Sequence, residues 1–207
     1  MRSRAFAAER MNGEIYHDFM DAGFRRSGQI FYQPICPSCR DCVPIRVVTK
    51  EFRHSKTQRR VWRRNRDMRV RTGPPVLTEE KFQLYLDYLS QRHGKADTTY
   101  EDLERFLYRS PVNTVELEYR TPAGRLAGVS ILDRCNRSLS SVYMYFDPSE
   151  ARRSLGVYSV LFEISWAGEQ GIEFYYLGFW VKDCASMSYK ADYTPHEILR
   201  TDGLWMR

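Results

Sequence analysis

The sequence predicts a mixed α/β (α+β) fold, because segments with helical and with strand periodicity alternate over residues 76–207. Two helical segments come first, and three strand-like runs separated by short polar turns follow them, which is typical of an antiparallel meander. A further helical segment then leads into one more strand, and this order implies a parallel crossover. With 43% hydrophobic and 14% aromatic residues among 207, the composition excludes a disordered chain.

Caps, apolar periodicity and turns locate the individual elements. Thr78 precedes two acidic residues and an apolar stripe that includes Phe82, Tyr85 and Leu89, so a helix is expected from there to Gly94. The remaining expected elements are a helix over 100–108, strands over 114–120, 126–132 and 139–146, a helix over 155–170 and a strand over 172–177. This order matches the acetyltransferase-like (GNAT-like) fold of N-acyltransferases.

Charge divides the chain into two predicted domains, 1–75 and 76–207. The first carries 17 basic and 7 acidic side chains and the second 15 and 19, so the net charge of +6 conceals a strongly basic first part. Residues 73–75, Gly-Pro-Pro, form the expected linker. The first part is therefore expected to be a small basic, cysteine-containing N-terminal domain, with strands over 29–34 and 43–49.

A run of basic residues over 53–71 indicates a polyanion partner. It contains nine basic residues and one acid, and eight of the nine are Arg, whose planar guanidinium suits phosphate. A Ser-x-x-Gln capping box formed by Ser55 and Gln58 predicts a helix that begins at Lys56. The guanidinium groups expected over a wide arc of this helix are those of Arg59, Arg60, Arg63, Arg64 and Arg66. Nucleic acid is the favoured partner, and a solvated charged helix is the alternative.

Three of the five cysteines lie in the run Cys36-x-x-Cys39-x-x-Cys42. They supply three soft metal ligands, one short of a closed tetrahedral zinc site, and His17 and His54 are the candidates for a fourth. A zinc or iron–sulfur site is therefore one interpretation, and a redox-active or simply packed cluster is the other.

Two features of the sequence predict a cytoplasmic protein. The crowding of the cysteines does not suit the disulfides of a secreted domain. No window reaches the roughly 18 apolar residues of a membrane span.

The turn before the 155–170 helix departs from the pattern of acyl-CoA enzymes. In acyl-CoA enzymes of that fold, backbone amides at a helix N-terminus bind the pyrophosphate of CoA, and the turn there carries two small residues. Here Gly156 supplies the first, but Tyr158 replaces the second. We therefore expect the acyltransferase scaffold to be kept while the acyl donor changes. Residues 175–190 combine aromatics with Lys190 at a strand end, where open α/β sheets bind ligands.

Seven sequence blocks, taken in order, carry a family resemblance over nearly the whole chain. They are 24–28 (FRRSG), 32–47 (YQPICPSCRDCVPIRV), 55–65 (SKTQRRVWRRN), 85–93 (YLDYLSQRH), 140–148 (SSVYMYFDP), 154–159 (SLGVYS), and 176–180 (YLGFW) with 187–190 (MSYK). Together they resemble the leucyl/arginyl-tRNA–protein transferase family, in its bacterial aspartate/glutamate leucyltransferase branch. Ser186 departs from the pattern, because the family often has a basic residue there.

The resemblance implies an aminoacyltransferase that moves Leu, or Arg in the eukaryotic branch, from its tRNA to the α-amine of a protein beginning with Asp or Glu. The product is a destabilising N-terminus that feeds regulated proteolysis. The implied partners are aminoacyl-tRNA and such proteins, with no membrane and no DNA, and no cofactor is required. The family usually has a further N-terminal segment with a Cys before the position of Arg4.

An aminoacyl-tRNA ester is already activated, so orientation of the attacking amine is the main requirement, and a Ser-His-Asp triad is not expected. The residues expected to bind tRNA phosphates are Arg25, Arg26, Arg59, Arg60, Arg63 and Arg64. Those expected to shape the substrate pocket are Tyr143, Tyr158, Tyr176, Trp180, Tyr189 and Lys190. Lys190 is the cation expected to meet the acceptor's acidic side chain, with Arg134 and Arg153 as the next candidates.

Two other functions stay open from the residues alone. One is a CoA-dependent N-acetyltransferase with a basic appendage, which Tyr158 in the phosphate turn disfavours. The other is a zinc-knuckle module that binds RNA or DNA without catalysis, for which the cysteine run and the Arg helix would suffice.

Overall fold

The computed structural model describes residues 2–94 and 97–207, and these residues form two β-sheets with helices packed against them. The strands are β1 (Ser3–Ala7), β2 (Arg25–Ser27), β3 (Ile30–Pro34), β4 (Val43–Val48), β5 (Arg69–Gly73), β6 (Thr114–Arg120), β7 (Leu126–Arg134), β8 (Ser138–Phe146), β9 (Phe174–Trp180), β10 (His196–Leu199) and β11 (Trp205–Met206). The helices are α1 (Gly13–Asp21), α2 (Lys56–Arg64), α3 (Glu79–His93), α4 (Tyr100–Leu103), α5 (Leu155–Glu169) and α6 (Ala185–Ser188). Shorter helical turns span Glu104–Tyr108, Pro148–Arg153 and Tyr189–Asp192.

The larger sheet has eight strands in the order β11-β10-β4-β9-β8-β7-β6-β5. Strands β8 and β9 are parallel, and the other neighbours in this sheet are antiparallel. The smaller sheet has the order β1-β3-β2. Because β4 and β5 belong to residues 1–75 and yet pair with β9 and β6, strands from both sides of the predicted boundary share one sheet. The division into two domains stays a prediction about folding units.

The predicted mixed α/β fold class is confirmed, and the meander and the crossover are both present. Strands β6, β7 and β8 pair in sequence, and α5 connects β8 to its parallel neighbour β9. The predicted 172–177 strand begins later and runs further, over Phe174–Trp180, because Ile172 is still in the turn that leaves α5. The predicted 100–108 helix is α4 followed by a π-helical turn.

Local signals explain where the helices begin and end. Both halves of the predicted capping box are formed at the start of α2, where the Ser55 hydroxyl accepts from the Gln58 amide and the Gln58 side chain accepts from the Ser55 amide. Thr78 caps α3 by accepting from the backbone amide of Lys81. Gly94 ends this helix with a φ of 63°, a left-handed conformation that glycine adopts without strain.

Helices cover both faces of the large sheet. On one face, α5 packs through Leu161 and Ile164 into a cluster that includes Tyr175, and α2 packs beside it through Trp62. On the other face, α3, α4 and the π-helical turn pack around buried Tyr145. None of the helices in the described ranges is both long and apolar enough to cross a bilayer.

The small sheet and α1 are joined to the large sheet through a buried ion pair. Arg26 on β2 donates to both carboxylate oxygens of Asp133 on β7, at 2.7 and 2.6 Å, and neither side chain is exposed. Thr114 on β6 and Tyr16 on α1 donate to the same carboxylate at 2.8 and 3.1 Å. Four donor contacts therefore satisfy Asp133 and hold three parts of the fold together.

We expect Arg26→Met to lower the free energy of unfolding by about 3–5 kcal/mol, because it leaves Asp133 as a buried carboxylate without its counter-ion. Urea denaturation of the purified protein measures the change. The matched control is Arg137→Met, which breaks the surface pair of Arg137 with Glu173, whose side chains are 60% and 46% exposed, and which we expect to cost less than about 1 kcal/mol. Equal losses in the two variants would contradict the structural role of the buried pair.

Candidate active site

A cavity of about 840 Å³ opens between the C-terminal halves of β8 and β9. The two parallel strands pair only from Ser138 to Ser140 on β8 and from Phe174 to Tyr176 on β9. Beyond this point they separate, and the first turn of α5 and residues 185–190 line the resulting opening. The cavity lies at the carboxyl ends of parallel strands, where open α/β sheets bind ligands.

One part of the cavity is apolar. The aliphatic, sulfur-containing and aromatic side chains that contribute to it are Val142, Met144, Phe146, Val157, Val160 and Leu177. Tyr143 also lines the cavity, and its ring packs edge-on against Tyr85 and Phe106 at centroid distances of 6.1 and 5.4 Å. These contacts hold the tyrosine in place, so the apolar wall is preformed.

Positive charge gathers elsewhere in the same cavity. Arg25, Arg26, Arg92 and Lys190 line it, whereas its described lining contains no Asp or Glu. The Lys190 ammonium donates to the backbone oxygen of Phe179 at 2.8 Å. Burial, and secondarily the positive charge of Arg25, lowers the pKa of Lys190 to about 8. The cavity therefore combines an apolar wall with a cationic region in which Arg26 is paired with Asp133, whereas no ion pair of Arg25 or Lys190 is found among the described residues.

Gly178 forms the backbone of this cationic region. Its φ is +89°, and a Cβ at this position would lie 3.4 Å from the Lys190 nitrogen. Opposite it, the pairing of β4 with β9 shifts register between Ile45 and Arg46. The glycine thus allows the strand to bend beside the cavity and lets the lysine approach the backbone.

Of the six residues expected to shape the pocket, Tyr143, Tyr189 and Lys190 line the cavity, and the other three do not. Tyr158 is buried in the core against Trp62 and Tyr119, at ring distances of 5.7 and 5.9 Å. The structure thus places Tyr158 against α2 and the sheet, away from the cavity, and its contact with a ligand stays a prediction.

Tyr176 and Trp180 lie on β9 but outside the cavity lining. The Tyr176 hydroxyl donates to the Asp21 carboxylate and accepts from Arg46, and its side chain is fully buried. The Trp180 indole donates to the backbone oxygen of Ser188 at 3.2 Å. Both side chains support the strand and the segment after it, and their contact with substrate stays a prediction.

The two arginines expected to bind tRNA phosphates from β2 are buried. Arg26 donates to both carboxylate oxygens of Asp133, and its contact with a tRNA phosphate stays a prediction that this pairing disfavours. Arg25 is 4% exposed and lines the cavity instead of the outer surface. Their adjacency in sequence gave no sign of this burial, because a pair of arginines is usually a surface feature.

The four α2 arginines lie where a polyanion could reach them. Arg59, Arg60, Arg63 and Arg64 are exposed, and among the described residues no ion pair involves any of them. Arg64 donates to the backbone oxygen of Arg152, in the turn that precedes α5. The exposed α2 surface therefore adjoins the segment that leads into the cavity wall.

The two alternative cations for the acceptor's side chain lie elsewhere. Arg153 is paired with Asp67 and Glu150 at 2.8 Å, and Arg134 lies over the ring of Trp166 at 5.7 Å. Neither lines the cavity. Lys190 is thus the one of the three expected cations that the fold places at the site.

The cysteine run does not form a metal-binding arrangement in the part of the chain that the structure describes. The Cys39 thiol donates to Asp41 at 3.2 Å, and the Cys36 sulfur accepts from the Arg2 amide. The expected fourth ligands lie apart, with His17 hydrogen-bonded to Ser138 and His54 packed on Trp62. The suggested zinc or iron–sulfur site gains no support from this geometry.

The fold and its opening between parallel strands define an acetyltransferase-like N-acyltransferase domain. Solved structures share the architecture: L-PGS from Bacillus licheniformis superposes with a TM-score of 0.54 at 16% identity, covering 89% of this chain and 55% of that one. FemX superposes with a TM-score of 0.53 at 8% identity, covering 90% of this chain and 65% of that one. At such identities the likeness concerns the fold alone.

Sequence comparison identifies the family. The model described as arginine-tRNA-protein transferase, N terminus, matches residues 1–60, and the corresponding C-terminus model matches residues 80–200. The chain belongs to the arginine-tRNA-protein transferase family, and it is therefore an aminoacyltransferase, as the sequence predicts.

Curated relatives agree over most of their length. Proteins named aspartate/glutamate leucyltransferase are 37% identical in Hahella chejuensis over 93% of this chain and 83% of the relative, and 40% identical in Pseudomonas fluorescens over 91% and 81%. The relative of the same name in Gluconacetobacter diazotrophicus is 41% identical over 96% of this chain and 75% of its own length.

We expect Gly178→Ala to reduce aminoacyl transfer at least about tenfold, because the added methyl group strains a left-handed backbone position that lies against Lys190 in the cavity. Gly124→Ala is the matched control, since Gly124 has a φ of +87° and nothing within 4 Å of an added Cβ. Both variants should lose about 1 kcal/mol of stability. Initial rates of transfer and thermal unfolding, measured for both variants, test this expectation. Equal losses of activity in the two variants would contradict the placement of the active site beside Gly178.

Proposed function

We propose that the protein transfers leucine from leucyl-tRNA to the α-amine of proteins that begin with Asp or Glu. The observation that carries the proposal is the lining of the cavity, which combines an apolar wall with cations and, among its described residues, no carboxylate. The name shared by the relatives, aspartate/glutamate leucyltransferase, supports the same donor and acceptors.

The apolar wall favours leucine over arginine as the donated residue. Val142, Met144 and Val157 offer contacts to a branched aliphatic side chain. An arginine side chain entering the same space would bury its guanidinium without a carboxylate partner, which is costly. Leucine transfer therefore suits this lining better.

The cationic region suits an acceptor that carries a carboxylate. We assign Lys190 as the cation that meets the acidic side chain of the acceptor's first residue. The exposed arginines of α2 are the proposed phosphate-binding surface for tRNA, because a dense array of unpaired guanidinium groups attracts a polyanion. The α2 helix packs beside α5 through Trp62, which places this surface next to the element that lines the cavity.

The chemistry needs orientation more than a nucleophilic side chain. The acceptor's neutral α-amine attacks the ester carbonyl of the aminoacyl-tRNA, the new C–N bond forms, the ester C–O bond breaks, and the amine's proton leaves with the terminal ribose oxygen or water. The amine has a reference pKa near 8, so a substantial fraction is unprotonated at neutral pH. Holding amine and ester together supplies most of the rate increase. The new N-terminal leucine is then a signal for regulated proteolysis in the cytoplasm.

Transfer of radiolabelled leucine, with arginine in parallel, from charged tRNA to peptides beginning with Asp, Glu, Lys or Ala tests the proposed function. We expect label on the Asp and Glu peptides from leucyl-tRNA alone. Label from arginyl-tRNA instead would show that arginine, and not leucine, is the residue transferred. A folded protein that labels no peptide with either tRNA would contradict the proposed activity.

Neutralising Arg63 and Arg64 together should flatten the salt dependence of tRNA binding. Each phosphate contact contributes about 0.7–0.9 to the slope of log K against log salt, so the double variant Arg63→Gln, Arg64→Gln should lose between about 1 and 2 from this slope. The control is Arg105→Gln, Arg109→Gln, which removes two exposed arginines from the π-helical side of the sheet. Filter binding over a range of KCl concentrations measures both, and an unchanged slope in the first variant would exclude this surface.

A further inference from the structure

Arg25 is a buried cation for which the described residues supply no carboxylate partner. Its guanidinium donates to the backbone oxygens of Phe24 at 2.6 Å, Met20 at 3.2 Å and Gly178 at 3.4 Å. Its Nε is buried and has no hydrogen-bond partner. The rings of Tyr176 and Phe179 lie 5.0 and 5.5 Å from the guanidinium carbon. Backbone oxygens and rings therefore hold the group in place, and Asp21 acts on its charge only from a distance.

Arg25 and Lys190 meet at Gly178. The Gly178 carbonyl accepts from Arg25, and the Lys190 ammonium lies 3.4 Å from the position that a Cβ on Gly178 would take. Both side chains line the same cavity. The two charges are close enough to interact, since the positive charge of Arg25 contributes to the lowered pKa of Lys190.

The positive charges of Arg25 and Lys190 repel each other at the edge of a desolvated cavity, and a bound anion between them would offset this repulsion. The neighbouring Arg26 has a structural role, and its charge is neutralised because it donates to both carboxylate oxygens of Asp133. In the ranges that the structure describes, no carboxylate forms an ion pair with Arg25. The nearby tyrosines are neutral at physiological pH, as burial raises the pKa of Tyr16, Tyr32 and Tyr176. The nearby carboxylate of Asp21 already accepts from Arg46 and Tyr176.

We propose that Arg25 and Lys190 form a carboxylate-binding subsite, and that Arg25 is a specificity-determining residue for the acidic side chain of the acceptor's first residue. This inference rests on the proposed function. An Asp or Glu carboxylate placed between the two cations that line the cavity supplies a counter-charge in direct contact with them. An amide of the same shape supplies no charge, so Asn and Gln are rejected.

Binding of peptides that begin with Asp or with Asn, measured by fluorescence anisotropy in the presence of uncharged tRNA, tests the subsite. Wild-type protein should prefer the Asp peptide by about tenfold or more, the effect of one charge-assisted hydrogen bond. Arg25→Met should lose most of this preference while tRNA affinity stays unchanged. Arg25→Lys should keep part of it. The control Arg134→Met removes a cation that does not line the cavity, and should keep the full preference.

The outcomes separate this inference from the proposed function. If wild-type protein transfers leucine to Asp peptides and Arg25→Met keeps the Asp-over-Asn ratio, the subsite is wrong and the function stands. If wild-type protein transfers nothing but its preference for Asp disappears in Arg25→Met, the function is wrong and the subsite stands. An equal loss of affinity for Asp and Asn peptides would also overturn the subsite, because a purely structural role affects both.

A second measurement needs no variant, in case Arg25→Met does not fold. Lys190 lines the open cavity, and burial lowers its pKa to about 8, so we expect it to react with acetic anhydride at mildly alkaline pH, and mass spectrometry measures its acetylation. The Asp peptide should protect Lys190 and the Asn peptide should not. Equal labelling with and without the Asp peptide would overturn the subsite.

Discussion

The buried ion pair between Arg26 and Asp133 is the contact on which the rest of the site depends. It ties β2 to β7, and the same carboxylate receives hydrogen bonds from Tyr16 on α1 and Thr114 on β6. A buried pair adds little net stability over an apolar pair of the same shape, although breaking it is costly. Its main effect here is positional, since it fixes where the short β2 strand lies against the large sheet.

This position determines what the neighbouring residue can do. Arg26 is directed to Asp133, whereas the Arg25 guanidinium reaches the Gly178 carbonyl on β9, and both side chains contribute to the cavity lining. Two identical side chains, one residue apart, thus have different surroundings. Arg25 brings to the cavity a charge that no described carboxylate contacts, whereas Asp133 neutralises Arg26.

The sequence predicted those features that depend on neighbouring residues. The capping box of Ser55 and Gln58, the meander and the crossover through α5 are all present because short-range patterns specify them. Features that depend on distant pairing were missed. The insertion of β4 between β9 and β10 has no local signature, and neither does the burial of Arg25. The position of Tyr158 in a family motif likewise does not reveal which side of α5 it occupies.

The α2 arginines and Arg25 differ most in their exposure to water. The α2 arginines are exposed, so dissolved ions screen their attraction for a polyanion. At physiological ionic strength this attraction is largely screened beyond a Debye length of about 8 Å. Arg25 is buried, and buried charges are screened much less. If these residues act as proposed, rising salt should weaken the contact with tRNA while the discrimination between acidic and neutral acceptors persists. The proposed roles would then combine, in one basic N-terminal region, a long-range attraction for one substrate and short-range selection of the other.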